Sequence, residues 1–324
     1  MTLKNKLFIV ALLSLAILSF GNIDKISAAP APSKHIKFNI TRPAVREIAD
    51  ITYVQHFNWP VYRLKMDILK PESNEPLPAV LFITGGGFVA AAKTTYIQQR
   101  VHLAEAGYVV ASVEYRIVPN TYKDALQDIK AAIRYLRAHA KEFNIDPNRI
   151  AVMGESAGGY LAAMVGVTND INEFDVGDNL NQSSAVQAVV DIYGLSDLTK
   201  VGADYSTEVQ EAHKSAGATE ALFVNGIALF SGTGGGILSN PESASAANPI
   251  TYMSANTPPF LLMHGDKDAV VSPSQTELLH TALCNKGIDS TRDVVESANH
   301  ADHYWNQPEV ETIIIDFLNR VLKN

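Results

Sequence analysis

The stretch Ile150-Ala151-Val152-Met153-Gly154-Glu155-Ser156-Ala157-Gly158-Gly159 sets an unbroken apolar run directly before a serine enclosed by glycines. Four consecutive apolar residues suit a strand covered on both faces, and the small residues Ala157, Ala162 and Ala163 suit a helix packed close behind it. A serine on so sharp a strand-to-helix turn sits in strained backbone with its hydroxyl exposed. Flanking glycines are needed because side chains there would collide with strand and helix. Five residues are a short pattern, and their weight comes from lying between strand and helix. Ser156 is the expected nucleophile.

Outward from this turn, Ala79 to Ile83 and Tyr108 to Val113 are also almost continuously apolar, as parallel strands covered by helices are. Leu126, Ile129, Ile133 and Leu136 form one apolar stripe on a helix expected from about Tyr122 to Phe143, and Asp146-Pro147-Asn148 turns the chain into the next strand. Tyr62, Leu64, Met66 and Ile68 alternate with Arg63, Lys65 and Asp67, which predicts a half-buried strand ending at Pro71. Further strands are expected at Ala185 to Tyr193, Phe260 to His264 and Thr291 to Val295, and a last helix at Pro308 to Leu322. This alternation predicts an α/β fold: a mostly parallel central sheet with helices on both faces. Between Leu195 and Pro258 the alternation lapses around the Gly-rich run Ser231 to Gly236. That segment, about 195–258, reads as a small cap insertion over the strand ends, with a long surface excursion as the alternative.

A hydroxyl needs a base, and the base an orienting carboxylate; on this architecture they follow the serine in the order acid, then histidine. His264-Gly265-Asp266-Lys267-Asp268 comes directly after an expected strand. Asp268 is the expected acid, with Asp266 ordering the loop and His264 packed at the strand end. Asn299-His300-Ala301-Asp302-His303 follows the last expected strand, and His300, first after it, is preferred to His303 as the base. Two histidines without a third ligand do not make a metal site. Thr84-Gly85-Gly86-Gly87-Phe88 ends the strand Ala79 to Ile83, about 70 residues before the serine. Its glycines let backbone N–H groups approach a substrate oxygen, so the expected oxyanion donors are the amides of Gly86, Gly87 and Ala157. Asp197, ahead of the insertion, reads as structural.

The chain has 324 residues, 47% of them hydrophobic and 19% charged, with a formal net charge of -8. That composition is ordinary for a globular enzyme, and the acidic balance argues against nucleic acid or an anionic membrane as partner. Lys4 and Lys6, the apolar run Leu7 to Phe20, and Ser27-Ala28-Ala29 follow the order of a secretory signal peptide. Fourteen helical residues would span only ~21 Å against a hydrocarbon core of ~30 Å, so an uncleaved membrane anchor is disfavoured. Residues 1–29 are thus expected to be removed from a secreted or periplasmic protein whose α/β domain is 30–324. Cys284 is the only cysteine and is expected to be a buried thiol in a helix.

Taken together, Gly85-Gly86-Gly87-Phe88, Tyr115-Arg116 with Pro119, the turn Gly154 to Gly159, His264 to Asp268 and His300 resemble the hormone-sensitive-lipase-like and bacterial feruloyl- and acetyl-esterase-like branch of the α/β-hydrolase superfamily. The resemblance runs from about Tyr62 to Leu322. It implies a serine carboxylesterase acting on short or aromatic acyl esters through Ser156, Asp268 and His300, without a cofactor. With export, acetyl or feruloyl groups on plant polysaccharides become plausible targets. An amide hydrolase (an aryl formamidase or peptidase) would use the same three residues, and a binding protein lacking turnover would ordinarily have lost one of them. The family usually begins the glycine motif with His, where this chain has Thr84. The oxyanion site is expected to survive that change, with altered loop rigidity or acyl-pocket polarity.

Overall fold

The computed structural model describes residues 33–57, 61–230 and 232–323, so the expected leader lies outside the described residues. The chain divides at Ile40: described residues 33–40 have no regular secondary structure, and Thr41–Asn324 forms the α/β unit. Eight strands make one sheet in the order β1-β2-β4-β3-β5-β6-β7-β8. They are β1 Val45–His56, β2 Tyr62–Pro71, β3 Leu77–Ile83, β4 Val109–Val113, β5 Ile145–Glu155, β6 Ala188–Ile192, β7 Phe260–Gly265 and β8 Ser290–Val295. From β4 across to β8 every pairing is parallel, while β1 with β2 and β2 with β4 are antiparallel.

Helices cover both faces, which explains the continuous apolar strands. Ala79, Leu81 and Ile83 point into one core, shared with α2 (Tyr122–Ala138), α4 (Ala157–Val167) and α8 (Ser274–Asn285). Val80 and Phe82 point into the other, shared with α1 (Ile97–Glu105) and α9 (Pro308–Leu322). The predicted stripe Leu126, Ile129, Ile133 and Leu136 is fully buried, each side chain contributing roughly 1.5–3 kcal/mol against the entropy of ordering it. Thr121 and Asp124 form a capping box that starts α2. Arg116 donates to both Asp124 and Asp128 and so locks the preceding loop onto that helix. The helix ends at Ala138, capped by His139, and a single turn, α3 (Ala140–Phe143), completes the predicted helical stretch.

Three expectations need correction or addition. Strand β2 is not half-buried along its length: it lies between β1 and β4, and from Met66 to Leu69 every residue is buried. Its polar member, Asp67, is tolerated because Lys93 Nζ donates to both carboxylate oxygens, at 2.8 and 2.9 Å. Strand β1 was not anticipated, because a register shift between Ile48 and Ile51, with Asp50 at φ 60, breaks the period of two. Cys284 is exposed, not buried, since α8 packs through Gln275, Thr276, Leu279 and Leu283 and the next position turns away.

The segment between β6 and β7 holds three short helices, α5 (Thr207–His213), α6 (Thr219–Asn225) and α7 (Pro241–Ala246). Among the described residues no helix is long and apolar enough to cross a membrane.

The Lys93–Asp67 pair generates a test. Lys93→Met should destabilise the protein by about 3 kcal/mol, because it strands a buried carboxylate. Adding Asp67→Asn removes that charge and keeps an oxygen for the Asp50 amide, 2.8 Å away. The double variant should regain at least half the loss in urea unfolding, and additive losses would contradict this account.

Candidate active site

The fold brings the predicted residues from four strand ends to one place. Ser156 follows β5 with φ 57 and ψ -121, a conformation non-glycine residues rarely adopt and one that costs about 1–3 kcal/mol. The strain is held by Ser156 N donating to Ile192 O at 2.9 Å and by Tyr160 N donating to Ser156 O at 3.0 Å. Close packing holds it too: a Cβ on Gly158 would lie 2.0 Å from Ile83 O, and one on Gly85 would lie 2.7 Å from Glu155 O. Only glycine at both positions lets the turn after β5 press against the loop after β3.

His300 Nε2 lies 2.9 Å from Ser156 Oγ, and His300 Nδ1 lies 2.8 Å from Asp268 Oδ2. With the hydroxyl donating to Nε2, Nδ1 carries the ring proton and donates to the carboxylate. Asp268 Oδ1 accepts from the amides of Val270 and Val271 at 2.8 and 2.9 Å, and Oδ2 also faces His264 Nε2 at 3.1 Å. Burial would push this carboxyl up, but the hydrogen bonds from His264 and His300, with the nearby His300 charge and the Val270 amide, hold it well below the usual carboxylate range.

Asn299 fastens the loops after β7 and β8 together. Its Oδ1 accepts from Ala269 N at 3.0 Å and from His300 N at 2.7 Å, and its carbonyl accepts from Trp305 Nε1 at 2.8 Å. Asp266 Oδ1 accepts from Ser297 N at 2.6 Å, so Asp266 orders the loop. His303 stands exposed at the start of a 3-10 turn. Asp197 Oδ1 accepts from Thr199 N and Oγ1, a turn at the entry to the insertion.

Gly86 and Gly87, with φ 150 and 59, form the turn after β3, and Ala157 opens α4. The first amides of α4 have no intrahelical acceptor, and the helix terminus adds positive potential beside the serine. Thr84, where the family usually has His, is fully buried, and its carbonyl accepts from Tyr115 Oη at 2.8 Å. Phe88 stacks on Phe223 of the insertion at 4.3 Å and meets Tyr160 edge-on at 5.6 Å. The loop is thus anchored by aromatic packing and a tyrosine hydroxyl in place of an imidazole.

Behind the serine lies a group that sequence reasoning passed over. Glu155 is 1% exposed, its Oε2 accepts from Tyr193 Oη, and the Tyr193 ring packs on His300 at 4.6 Å and on Trp305 at 4.6 Å. Burial pushes its carboxyl up to about 8, against a lowering hydrogen bond from Gln99. Asp191, on the neighbouring strand, is pushed up by burial to about 7 while accepting from Gly194 N at 2.9 Å.

A strand-end serine, imidazole and carboxylate on this sheet define an α/β-hydrolase. The chain belongs to the BD-FAE family, which matches residues 66–283. Among curated proteins it is similar to the esterase LipC of Mycobacterium tuberculosis, at 32% identity over 64% of this chain and 48% of that protein. The probable carboxylic ester hydrolase LipM of the same organism is 29% identical over 61% of this chain and 43% of that protein. The chain therefore spans less than half the length of these two relatives. Among solved structures, a truncated carbohydrate esterase from gut microbiota superposes with a TM-score of 0.75 at 26% identity, covering 87% of this chain and all of that one.

The Glu155 carboxyl generates a second test. Its folded value of about 8 lies above the ordinary 4.5, so the folded state holds the proton more tightly. Its contribution to stability is full below about 4.5 and is lost as pH rises through about 8. Glu155→Gln has no such proton. The melting temperature of this variant relative to the parent should rise from pH 5 to pH 8 and level off above; a difference independent of pH would contradict the assignment.

Proposed function

We propose that the protein is a secreted serine carboxylesterase that hydrolyses small-molecule or carbohydrate-linked esters with short or aromatic acyl groups. The single observation that carries the reading is the continuous hydrogen-bonded line from Ser156 Oγ through His300 to Asp268, at 2.9 and 2.8 Å. Membership of the BD-FAE family and the likeness to named esterases support ester hydrolysis. The likeness to a carbohydrate esterase along that chain's whole length favours acyl groups carried on sugars.

In the proposed mechanism His300 takes the Ser156 proton as Oγ attacks the ester carbonyl. The amides of Gly86, Gly87 and Ala157 hold the oxyanion, where one donor is typically worth ~3 kcal/mol. His300 then protonates the leaving alcohol. Water, deprotonated by His300, attacks the acyl-enzyme, and the proton returns to Ser156 as the acid departs. Asp268 keeps the imidazole in one tautomer and offsets its positive charge. Residues 195–258 act as a cap: Phe223 packs on the oxyanion loop at Phe88, and Tyr205 Oη donates to Asp268 O at 3.0 Å. Residues 1–29 serve as the export leader, as their charge and apolar order suggest.

A panel of aryl esters from acetate to octanoate, methyl ferulate and an aryl acetanilide tests the reading. The parent should turn over the short esters and leave the anilide nearly untouched. Ser156→Ala and His300→Ala should each lose on the order of 10³-fold or more, and His303→Ala should keep most of the rate. Full activity in Ser156→Ala would refute the nucleophile, and preference for the anilide would make the protein an amidase. Export should yield a chain whose first residue lies next to Ala28 or Ala29, read by N-terminal sequencing; an intact Met1 on exported protein would remove the leader assignment.

A further inference from the structure

Asp268 carries two imidazoles. His264, at the end of β7, is fully enclosed, and its Nε2 lies 3.1 Å from Asp268 Oδ2 and 3.0 Å from Val271 O. Both neighbours accept, so Nε2 must carry a proton. Nδ1 faces Thr276 Oγ1 at 3.1 Å, and that hydroxyl oxygen accepts from Arg292 Nε at 3.1 Å. A guanidinium can only donate, so the Thr276 proton goes to His264 Nδ1 or to Pro273 O. The competing acceptor, Pro273 O, is farther from the hydroxyl, at 3.3 Å, and already accepts from Arg292 Nη2 at 3.0 Å.

The bonds that reach the carboxylate therefore have one direction each. Arg292 donates to Thr276 and His264 to Asp268; from the other side Ser156 donates to His300, and His300 to Asp268. We propose that His264, with its Nε2 proton held between Val271 O and Asp268 Oδ2 and its ring seated on Thr276, is a positioning residue for Asp268. It occupies one lone pair of Oδ2, so that the carboxylate meets His300 in one orientation and with part of its charge already engaged. The proposal rests on the reading of Ser156, His300 and Asp268 given above.

Several groups set the electrostatics of this pair. His300 faces Asp268 from the loop after β8. Asp204, from the insertion, accepts from Ser272 Oγ and from Ser274 N at 3.0 Å. Tyr205 donates to the Asp268 carbonyl. Arg292, on β8, reaches the pair through Thr276, and Glu277 of α8 acts on Arg292. Without the His264 donor, Asp268 would lend its full charge to one imidazole and stabilise the protonated form of that ring. The acid limb of reactivity then moves to higher pH.

The test is the pH dependence, from 5 to 9, of Ser156 labelling by an alkyl fluorophosphonate, which needs no knowledge of the natural ester. His264→Leu should label about tenfold more slowly at its plateau, with the acid limb raised by about half a pH unit. His264→Gln, whose amide can still donate at the Nε2 position, should restore the limb of the parent. An unmoved limb in the Leu variant, or a Gln variant no better than Leu, overturns the proposal, since a purely structural role lowers the amount of active protein without shifting its titration. Should the Leu variant fail to fold, ¹⁵N NMR of the parent's histidine rings decides. His264 must be protonated at Nε2 at pH 8, and an Nε2 without a proton overturns the proposal. Ser156→Ala, run alongside, separates the two levels: persistent labelling there sinks the nucleophile assignment itself, whatever His264 does.

Discussion

The carboxylate of Asp268 accepts from two backbone amides and two imidazoles while almost entirely shut off from water. An ionised carboxyl in such a place would cost several kcal/mol if any of these donors were missing. With all four it stays charged, and its orientation is fixed because each lone pair is spoken for. His300 inherits its orientation from that carboxylate, and Ser156 its hydrogen bond from His300. The loop after β7 is thus the mechanical reference of the whole site, which accounts for how many other groups hold it: Asn299 from the loop after β8, Asp204 and Tyr205 from the segment between β6 and β7, and Gln275, whose Oε1 accepts from Ser196 N at 2.8 Å.

The sheet supplies the reach. Strands β3 and β5 are neighbours, so the glycine loop and the serine turn touch directly, glycine against backbone. Asp268 and His300 follow β7 and β8, across β6, and must cross that gap on loops. Tyr193, immediately after β6, fills the space between, with its ring against His300 and its hydroxyl on Glu155. Parallel strands present their carboxyl ends on one side of a sheet, which is where α/β proteins of this kind gather reactive groups.

The fold was legible wherever a strand is covered on both faces or a helix shows one stripe, as at Ala79 to Ile83 and Leu126 to Leu136. The reasoning failed where local irregularity hides periodicity, at the bulge near Asp50, and where a polar residue is buried by a distant partner, as Asp67 is by Lys93. For the site, chain order and strand ends were enough to nominate Ser156, Asp268 and His300, which the structure brings within hydrogen-bonding distance. His264, Thr276, Arg292, Glu155 and Tyr193 were not nominated for roles there. Their importance lies in which atom faces which, and no spacing along the chain encodes that. Among these, His264 carries a signal in the sequence, as the first residue of the segment that ends in Asp268, though that position alone does not tell packing from a hydrogen bond to the carboxylate.

The separation of 144 residues between the serine hydroxyl and its imidazole partner has a consequence for biosynthesis. During synthesis the elbow emerges well before the histidine, and that histidine hangs from β8, the outermost strand on its side of the sheet. In a growing chain the serine hydroxyl therefore has no imidazole beside it until β8 has paired with β7.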